Sequence, residues 1–535
     1  MGAAARRPTG DGIHVDTKQK GLKENAIGLA ESTGVGIAST APAYSLAATL
    51  GFVVAAVGIQ TPLLVILAFV PMLLSAWATK HMNTADPDCG TSFTWAARAL
   101  GPRTGWFAGG FATIAADFLA MASYAQVAGQ YVFLLIGLKS VGANATSVWV
   151  LLVGVAWIVG LTYLCYRGIE ISARIQVALV TVEVIMLGVL SIVALVKLAG
   201  GSAPAGHLTP SWSWFDPSKL PSFGTFMQGM LLMVFIYWGW DTTTSINEET
   251  VEPGRIPGTA GVLSTVLLLV TYLLVVISIQ GFAGIGTHGI GLGNPHNQND
   301  VLSVMGSAVF GTGAIGQILS HLLIFMVLTS AAATTQTTIL PNARTQLSMA
   351  FHKALPAIFG QIHPRYLSPA FSTISFGVLS IVYYVGLNFV SNGNVIADAV
   401  TATTFFAALY LAITAVACMW HYRTYLRLGV RRAFSYVIVP ALGAVALIAM
   451  IGWSFKVYWA PDESDFAVTL FGVHIGGVLM IVGITAIVGG IWMEATARTK
   501  RAKEYFSGES MRSGLSLTDD DEIVQVTPEP GLPPV

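Results

Sequence analysis

The chain has 535 residues, of which 54% are hydrophobic and only 10% charged, where an ordinary soluble protein is about a quarter charged. That balance excludes a disordered chain and argues against a soluble globule, which lacks enough charge here to cover its surface. The 27 Lys and Arg equal the 27 Asp and Glu, so no net basic field points to nucleic acid, and Cys89, Cys165 and Cys418 are spaced too widely for a disulfide framework or a metal motif.

Residues 1–25 are polar and without helical period, and read as a disordered tail. Twelve apolar runs follow, each long enough to cross a bilayer at about 20 residues per helix. They lie near 27–52, 54–78, 104–136, 147–166, 172–197, 223–247, 260–285, 313–343, 368–388, 395–420, 434–455 and 469–494. Lipid satisfies no backbone groups, so these runs predict helices and an all-α polytopic membrane protein. The first run is too long for a cleaved signal peptide and holds Pro42. Residues 498–535 form a second polar tail, with the acidic run Asp519, Asp520, Asp521 and Glu522. Twelve crossings put both tails on one side, and that side collects 23 of the 27 cations. The other side holds Lys139, Lys197, Lys219 and Lys456. Cytoplasmic loops carry the excess of Lys and Arg, so both termini are expected in the cytoplasm, with the protein in the cell (plasma or inner) membrane.

Two spans are interrupted. The first carries Gly34, Gly36, Ser39, Thr40 and Pro42 in close succession, and its helix is expected to unwind over residues 36–42. The sixth carries Gly239 and Asp241 among Phe235, Tyr237, Trp238 and Trp240, which reads as a pocket wall broken near 237–241. The two breaks lie five spans apart, so the segments run in opposite directions. Interrupted spans at corresponding places of inverted halves point to a midplane substrate site. Freed N–H groups at such breaks suit a carboxylate, and freed C=O groups an ammonium or a cation.

Three stretches resemble the amino acid–polyamine–organocation (APC) superfamily, the amino acid permeases with a LeuT-type fold. They are Pro87 to Gly110 after the second span, Phe235 to Gly258 around the sixth, and Asn342 to Pro369 after the eighth. The resemblance implies a 5+5 inverted repeat, residues 26–200 and 201–430, followed by two C-terminal helices in 431–497. It also implies that spans 1, 2, 6 and 7 rock against spans 3, 4, 8 and 9, with substrate held between the two breaks. On matching positions Phe235 falls at the aromatic gate and Asp241 at the acid of the sixth span. Gly36, Ala38, Ser39 and Thr40 fall near the backbone that meets a substrate carboxylate. The usual Gly-Ser/Thr-Gly motif of the first span is not cleanly present. Tyr237 and Trp238 join the expected wall.

Charges inside the spans are few: Glu31, Asp117, Glu183, Asp241, His321 and Asp398. A charge at membrane depth is costly and marks a functional site by default. Glu183 stands where proton-coupled relatives often carry Lys; it is expected either to carry the coupling proton or to receive the ammonium of a cationic substrate. Asp117 and Asp241 are further candidates for proton coupling. Asp117 and Tyr124 lie seven residues apart and share a helix face. Thr334 and Thr335 of the eighth span match a place where sodium-coupled relatives hold hydroxyl ligands, and form a candidate cation site.

The expected function is a secondary transporter importing an amino acid by alternating access, coupled to H+ (or Na+). The alternative is a polyamine or organic-cation carrier, or an exchanger. No spaced His pair, phosphate loop or Ser/His/Asp cluster marks an enzyme, and no cofactor is expected. The expected partners are a small-molecule substrate (amino acid or amine), the coupling ion and the lipid bilayer, with no nucleic acid.

Overall fold

The computed structural model describes residues 20–512 apart from residue 299 and residues 391–395, 461–463, 465–466 and 471–472. The expected tails of residues 1–19 and 513–535 lie outside the described residues. Among the described residues, eleven helical stretches are long and apolar enough to cross a membrane. The chain is an all-α polytopic membrane protein, with one small departure. A two-stranded antiparallel hairpin, β1 (Ala467–Leu470) and β2 (Val473–Gly476), occupies the start of the expected twelfth span.

In chain order the helices used below are α1 (Leu29–Thr40), α2 (Pro42–Val57), α3 (Thr61–Ala85), α4 (Ser92–Leu100), α5 (Ala112–Leu135) and α6 (Val148–Tyr166). Then come α7 (Ile169–Ala199), α8 (Phe223–Tyr237), α9 (Thr242–Ser245), α10 (Ile256–Ala283), α11 (Val301–Phe310) and α12 (Ala314–Phe351). The last are α13 (Ala370–Val390), α14 (Ile396–His421), α15 (Val439–Val457) and α16 (Gly477–Ala497). The first apolar stretch, Leu29–Ala85, is 57 residues long. It bends at Ala41 and again at the short turn Gly58–Gln60.

Burial sorts the helices into an inner and an outer set. Along α5 almost every residue from Ala112 to Tyr131 is buried, because α6, α12, α13 and α14 all pack on it. Its many alanines let those neighbours come close. Helix α1 is buried from Ser32 to Thr40 against α7, α10 and α12. The outer helices α6, α13 and α16 leave Leu152, Val159, Leu379 and Ile491 exposed. Those side chains match hydrocarbon rather than water.

The break in the first span is narrower than expected. The helix stays regular through Gly36, Ala38, Ser39 and Thr40, and only Ala41 leaves it, at φ 45° and ψ 69°. The cause is Pro42, first residue of α2, whose ring disfavours helical geometry for the residue before it. Gly36 serves packing instead: a Cβ there would lie 2.6 Å from Ser264 Oγ and 2.8 Å from Thr243 Cγ2. In the sixth span α8 ends at Tyr237, Trp238 is extended, Gly239 has φ 120°, and helical geometry resumes in α9. A Cβ on Gly239 would come within 2.8 Å of the Ser39 carbonyl carbon and oxygen. Glycine is what lets the two interrupted segments touch.

The two described ends of the chain meet. Lys20, expected in a solvated tail, is buried beside Asp88, and the same Asp88 accepts from His352. Ser510 in turn donates to the His352 carbonyl at 2.9 Å. Between Arg501 and Ser510 the segment lies across α4 and the end of α12. Tyr505 is fully buried there against Phe93, so residues 498–512 differ from a free tail.

Candidate functional site

A small closed cavity lies where the interrupted spans meet. Its volume is about 10 Å³, room for about one water. Ser39 of α1, Trp238, Gly239 and Asp241 of the second break, and Asp117 and Tyr124 of α5 line it, with Thr113, Thr242, Ser245, Thr338, Pro341 and Tyr410. No lysine, arginine or histidine is among them. Asp241 Oδ2 accepts from the Tyr410 hydroxyl at 2.6 Å, and that oxygen of Tyr410 accepts in turn from Trp238 Nε1. Asp117 Oδ2 accepts from Asn342 Nδ2 at 3.3 Å. Both carboxylates line the same cavity. Ser39 and Thr242 share a hydroxyl–hydroxyl bond of 2.8 Å across the junction of the breaks.

Behind the first break stands Glu183. Its Oε1 accepts from the Ala43 amide at 2.6 Å and from the Ser330 hydroxyl at 2.8 Å. Glu183 is 1% exposed and none of the described ion pairs includes it. A new helix start leaves its first N–H groups without partners. Here Pro42 has none to offer, Glu183 takes that of Ala43, and Ser330 Oγ takes that of Tyr44 at 3.3 Å. A carboxylate at a helix N-terminus also meets the positive end of its dipole. Glu183 on α7 thus fastens the restart of the first span to the eighth.

A second group of ionisable residues lies at the end of the bundle where the chain ends meet. Lys20 Nζ sits 2.9 Å from Asp88 Oδ2, 2.7 Å from Glu248 Oε1 and 3.6 Å from Cys89 Sγ. Burial opposes the Lys20 charge, but its acidic neighbours, Asp88 first, outweigh it and hold its pKa well above the usual value. Burial likewise pushes Asp88 up, and Lys20 overrides it, leaving Asp88 well below the carboxylate range. For Glu248 burial prevails and the pKa is raised. Asp88, Cys89 and Glu248 are the described residues whose donor atoms, within 4.8 Å of one another, suit a metal ion. The ammonium of Lys20 already fills the space between them. Nearby, Arg344 grips Glu249 through two bonds of 2.5 and 2.9 Å, and Arg98 pairs with Asp86.

The residues singled out in the sequence divide. Ser39, Asp117, Tyr124, Trp238 and Asp241 come together around the cavity. Gly36, Ala38, Thr40, Phe235 and Tyr237 do not line it. Thr40 Oγ1 donates to Ile37 in its own helix, and Tyr237 donates to the Val65 carbonyl at 3.1 Å on α3. Phe235 is buried beside the Trp238 ring. Thr334 donates to the Ser39 carbonyl at 2.7 Å, whereas Thr335 bonds back to Ala331 in its own helix. Among the in-span charges, Glu31 accepts from the Gly28 amide and His321 is exposed on α12. Tyr410 and Asn342 were missed, because nothing in the local sequence pairs either with an acid.

The amino acid permease family model matches residues 26–491. An uncharacterized transporter of Mycobacterium tuberculosis, Rv1999c, is 25% identical over 498 residues, covering 91% of this chain and 93% of that protein. The vacuolar cationic amino acid transporter 4 of Arabidopsis thaliana is 26% identical, over 71% of this chain and 62% of its own length. The polyamine transporter RMV1 of the same plant is 29% identical over 41% of this chain and 42% of itself. With a match across most of its length, and helices interrupted around a central cavity, the chain belongs to the amino acid permease family of membrane transporters.

Proposed function

We propose that the protein is a proton-coupled symporter that imports a solute bearing an ammonium group, an amino acid or an amine, by alternating access. The observation that carries this reading is Glu183. It is a carboxylate at membrane depth whose partners are an amide and a hydroxyl rather than a cation. As a carboxylate it accepts from both. Both bonds fall on Oε1, so a proton taken on Oε2 leaves them in place but removes the charge that strengthens them. Taking up a proton therefore loosens the tie between the restart of the first span and the eighth. Asp117 and Asp241 receive the ammonium, and Ser39 and Thr242 hold the breaks together while the site is closed. The 10 Å³ cavity belongs to a closed conformation, since an amino acid needs far more room.

Twelve crossings with cytoplasmic termini are part of this reading. Lys20 and Ser510 both bear on the Asp88–His352 pair, which supports an even number of crossings. The 57 residues of Leu29–Ala85 make about 85 Å of helix, against a hydrocarbon core of about 30 Å, and so count as two. The LeuT-type 5+5 repeat that the family resemblance implies is part of the same reading, and the placing of the two breaks supports it.

The test is uptake into proteoliposomes with an imposed pH gradient, wild type against Glu183→Gln. We expect gradient-driven uptake in the wild type and uptake indifferent to the gradient in the variant. Uptake in the variant that still follows the gradient would remove Glu183 from the proton path.

A further inference from the structure

We infer that the transported solute is an amine that lacks a carboxylate. The inference rests on the transport reading above and narrows its substrate class. An α-amino acid brings two opposite charges and asks a site for two opposite sets of partners. Its ammonium needs acceptors; its carboxylate needs donors, from cationic side chains or from backbone amides at a helix start.

The acceptors are present. Asp117 and Asp241 face one cavity, and none of the described ion pairs includes either. Two carboxylates sharing an enclosed space favour a cation between them. The rings of Trp238, Tyr124 and Tyr410 add faces that suit an ammonium.

The donors at the first break are spent, and some of those in the cavity wall are committed too. No cationic side chain lines the cavity. The Tyr410 hydroxyl is given to Asp241, and Ser39 and Thr242 bond each other. At the restart of the first span, where a substrate carboxylate would be received, the Ala41 amide closes back onto Ile37 and Ala38. Pro42 has no N–H, the Ala43 amide belongs to Glu183, and the Tyr44 amide belongs to Ser330. The chain supplies its own carboxylates at both breaks, on Glu183 and Asp241. A second carboxylate arriving with the solute would find its place taken and two acids opposing it.

Matched pairs that differ only by the α-carboxylate test this directly: cadaverine against lysine, agmatine against arginine, isoamylamine against leucine. The purified full chain in proteoliposomes, under an inside-alkaline pH gradient, is assayed for uptake of each labelled compound. We expect the decarboxylated member of at least one pair to be taken up more than tenfold faster than its amino acid. Thermal unfolding should rise with that amine and stay unchanged with its amino acid, as binding to the folded state alone requires. Asp241→Asn should weaken uptake of the amine at least tenfold without creating uptake of the amino acid. If the amino acid of a pair is carried as well as the amine or better, the inference fails while the transport reading stands. If the gradient drives uptake of none of the six, both fail.

Discussion

Two regions of this molecule bury carboxylates, and they satisfy them in opposite ways. At the end where the two described ends of the chain meet, Asp88, Glu248 and Glu249 face Lys20 and Arg344. Around the breaks, Glu183, Asp117 and Asp241 face amides, hydroxyls and a carboxamide. An ion pair neutralises charge within the protein and resists change, because removing one partner strands the other. A carboxylate held by neutral donors keeps an unmet need for positive charge, which a proton or a cationic solute can supply. The first arrangement suits a clasp and the second a site that must fill and empty.

The largest expected effect breaks the clasp. Lys20→Met strands Asp88 and Glu248 and should cost about 3–5 kcal/mol, read as a lower melting temperature in detergent. Because Asp88 is held well below its usual value, its contribution is complete above about pH 4, the unfolded value. It is lost only as pH falls through the depressed folded value. The gap between wild type and Lys20→Met should thus be full at neutral pH and close in strong acid as Asp88 is protonated, or in strong alkali as Lys20 loses its raised charge; equal melting at neutral pH would undo the contrast between the two regions.

Next comes the contact between the breaks. Gly239→Ala meets the Ser39 backbone and forces an alanine to φ 120°, a strain of about 1–3 kcal/mol before any clash. Uptake should be lost while the variant still elutes as a folded species. Normal uptake by that variant would show that the breaks need not touch. Glu183→Ala leaves the Ala43 amide unpaired, worth about 1–3 kcal/mol. Glu183→Gln keeps an acceptor oxygen and should melt closer to wild type. If the two variants melt alike, the amide bond is not what Glu183 contributes. The smallest effect is Tyr410→Phe, which removes one donor from Asp241 for about 0.5–1.5 kcal/mol. It should leave melting nearly unchanged and alter the apparent KM of the solute, since Asp241 then faces the cavity with one partner fewer.

The spans were legible because lipid demands long apolar runs, and the break in the sixth span because Gly239 sits next to an acid among aromatics. The first break was legible only in part. Gly36, Ser39 and Thr40 resemble signs of unwinding, yet glycine gives way to a close neighbour, Ser39 stays helical while bonding outward, and Thr40 bonds back within its own helix. Pro42 alone carried the position. Glu183 stood out as a lone charge in an apolar run, but its partner amide, 140 residues earlier, belongs to tertiary structure. So does the pairing of Tyr410 with Asp241. Lys20 looked like tail because its surroundings in sequence are polar; the acids that bury it arrive from residues 88 and 248.

The meeting of the chain ends also bears on biosynthesis. The Lys20 seat is complete only once His352 has been made, and its outer cover only once Tyr505 and Ser510 have emerged. Throughout synthesis of the last helices, Phe93 and the carbonyls of Ala350 and His352 wait without the partners that Tyr505, Arg501 and Ser510 bring. A chain stopped near residue 497 keeps every helix from α1 to α16, yet leaves that face unsealed. Quality control would have that patch to recognise in any product lacking its final fifteen described residues.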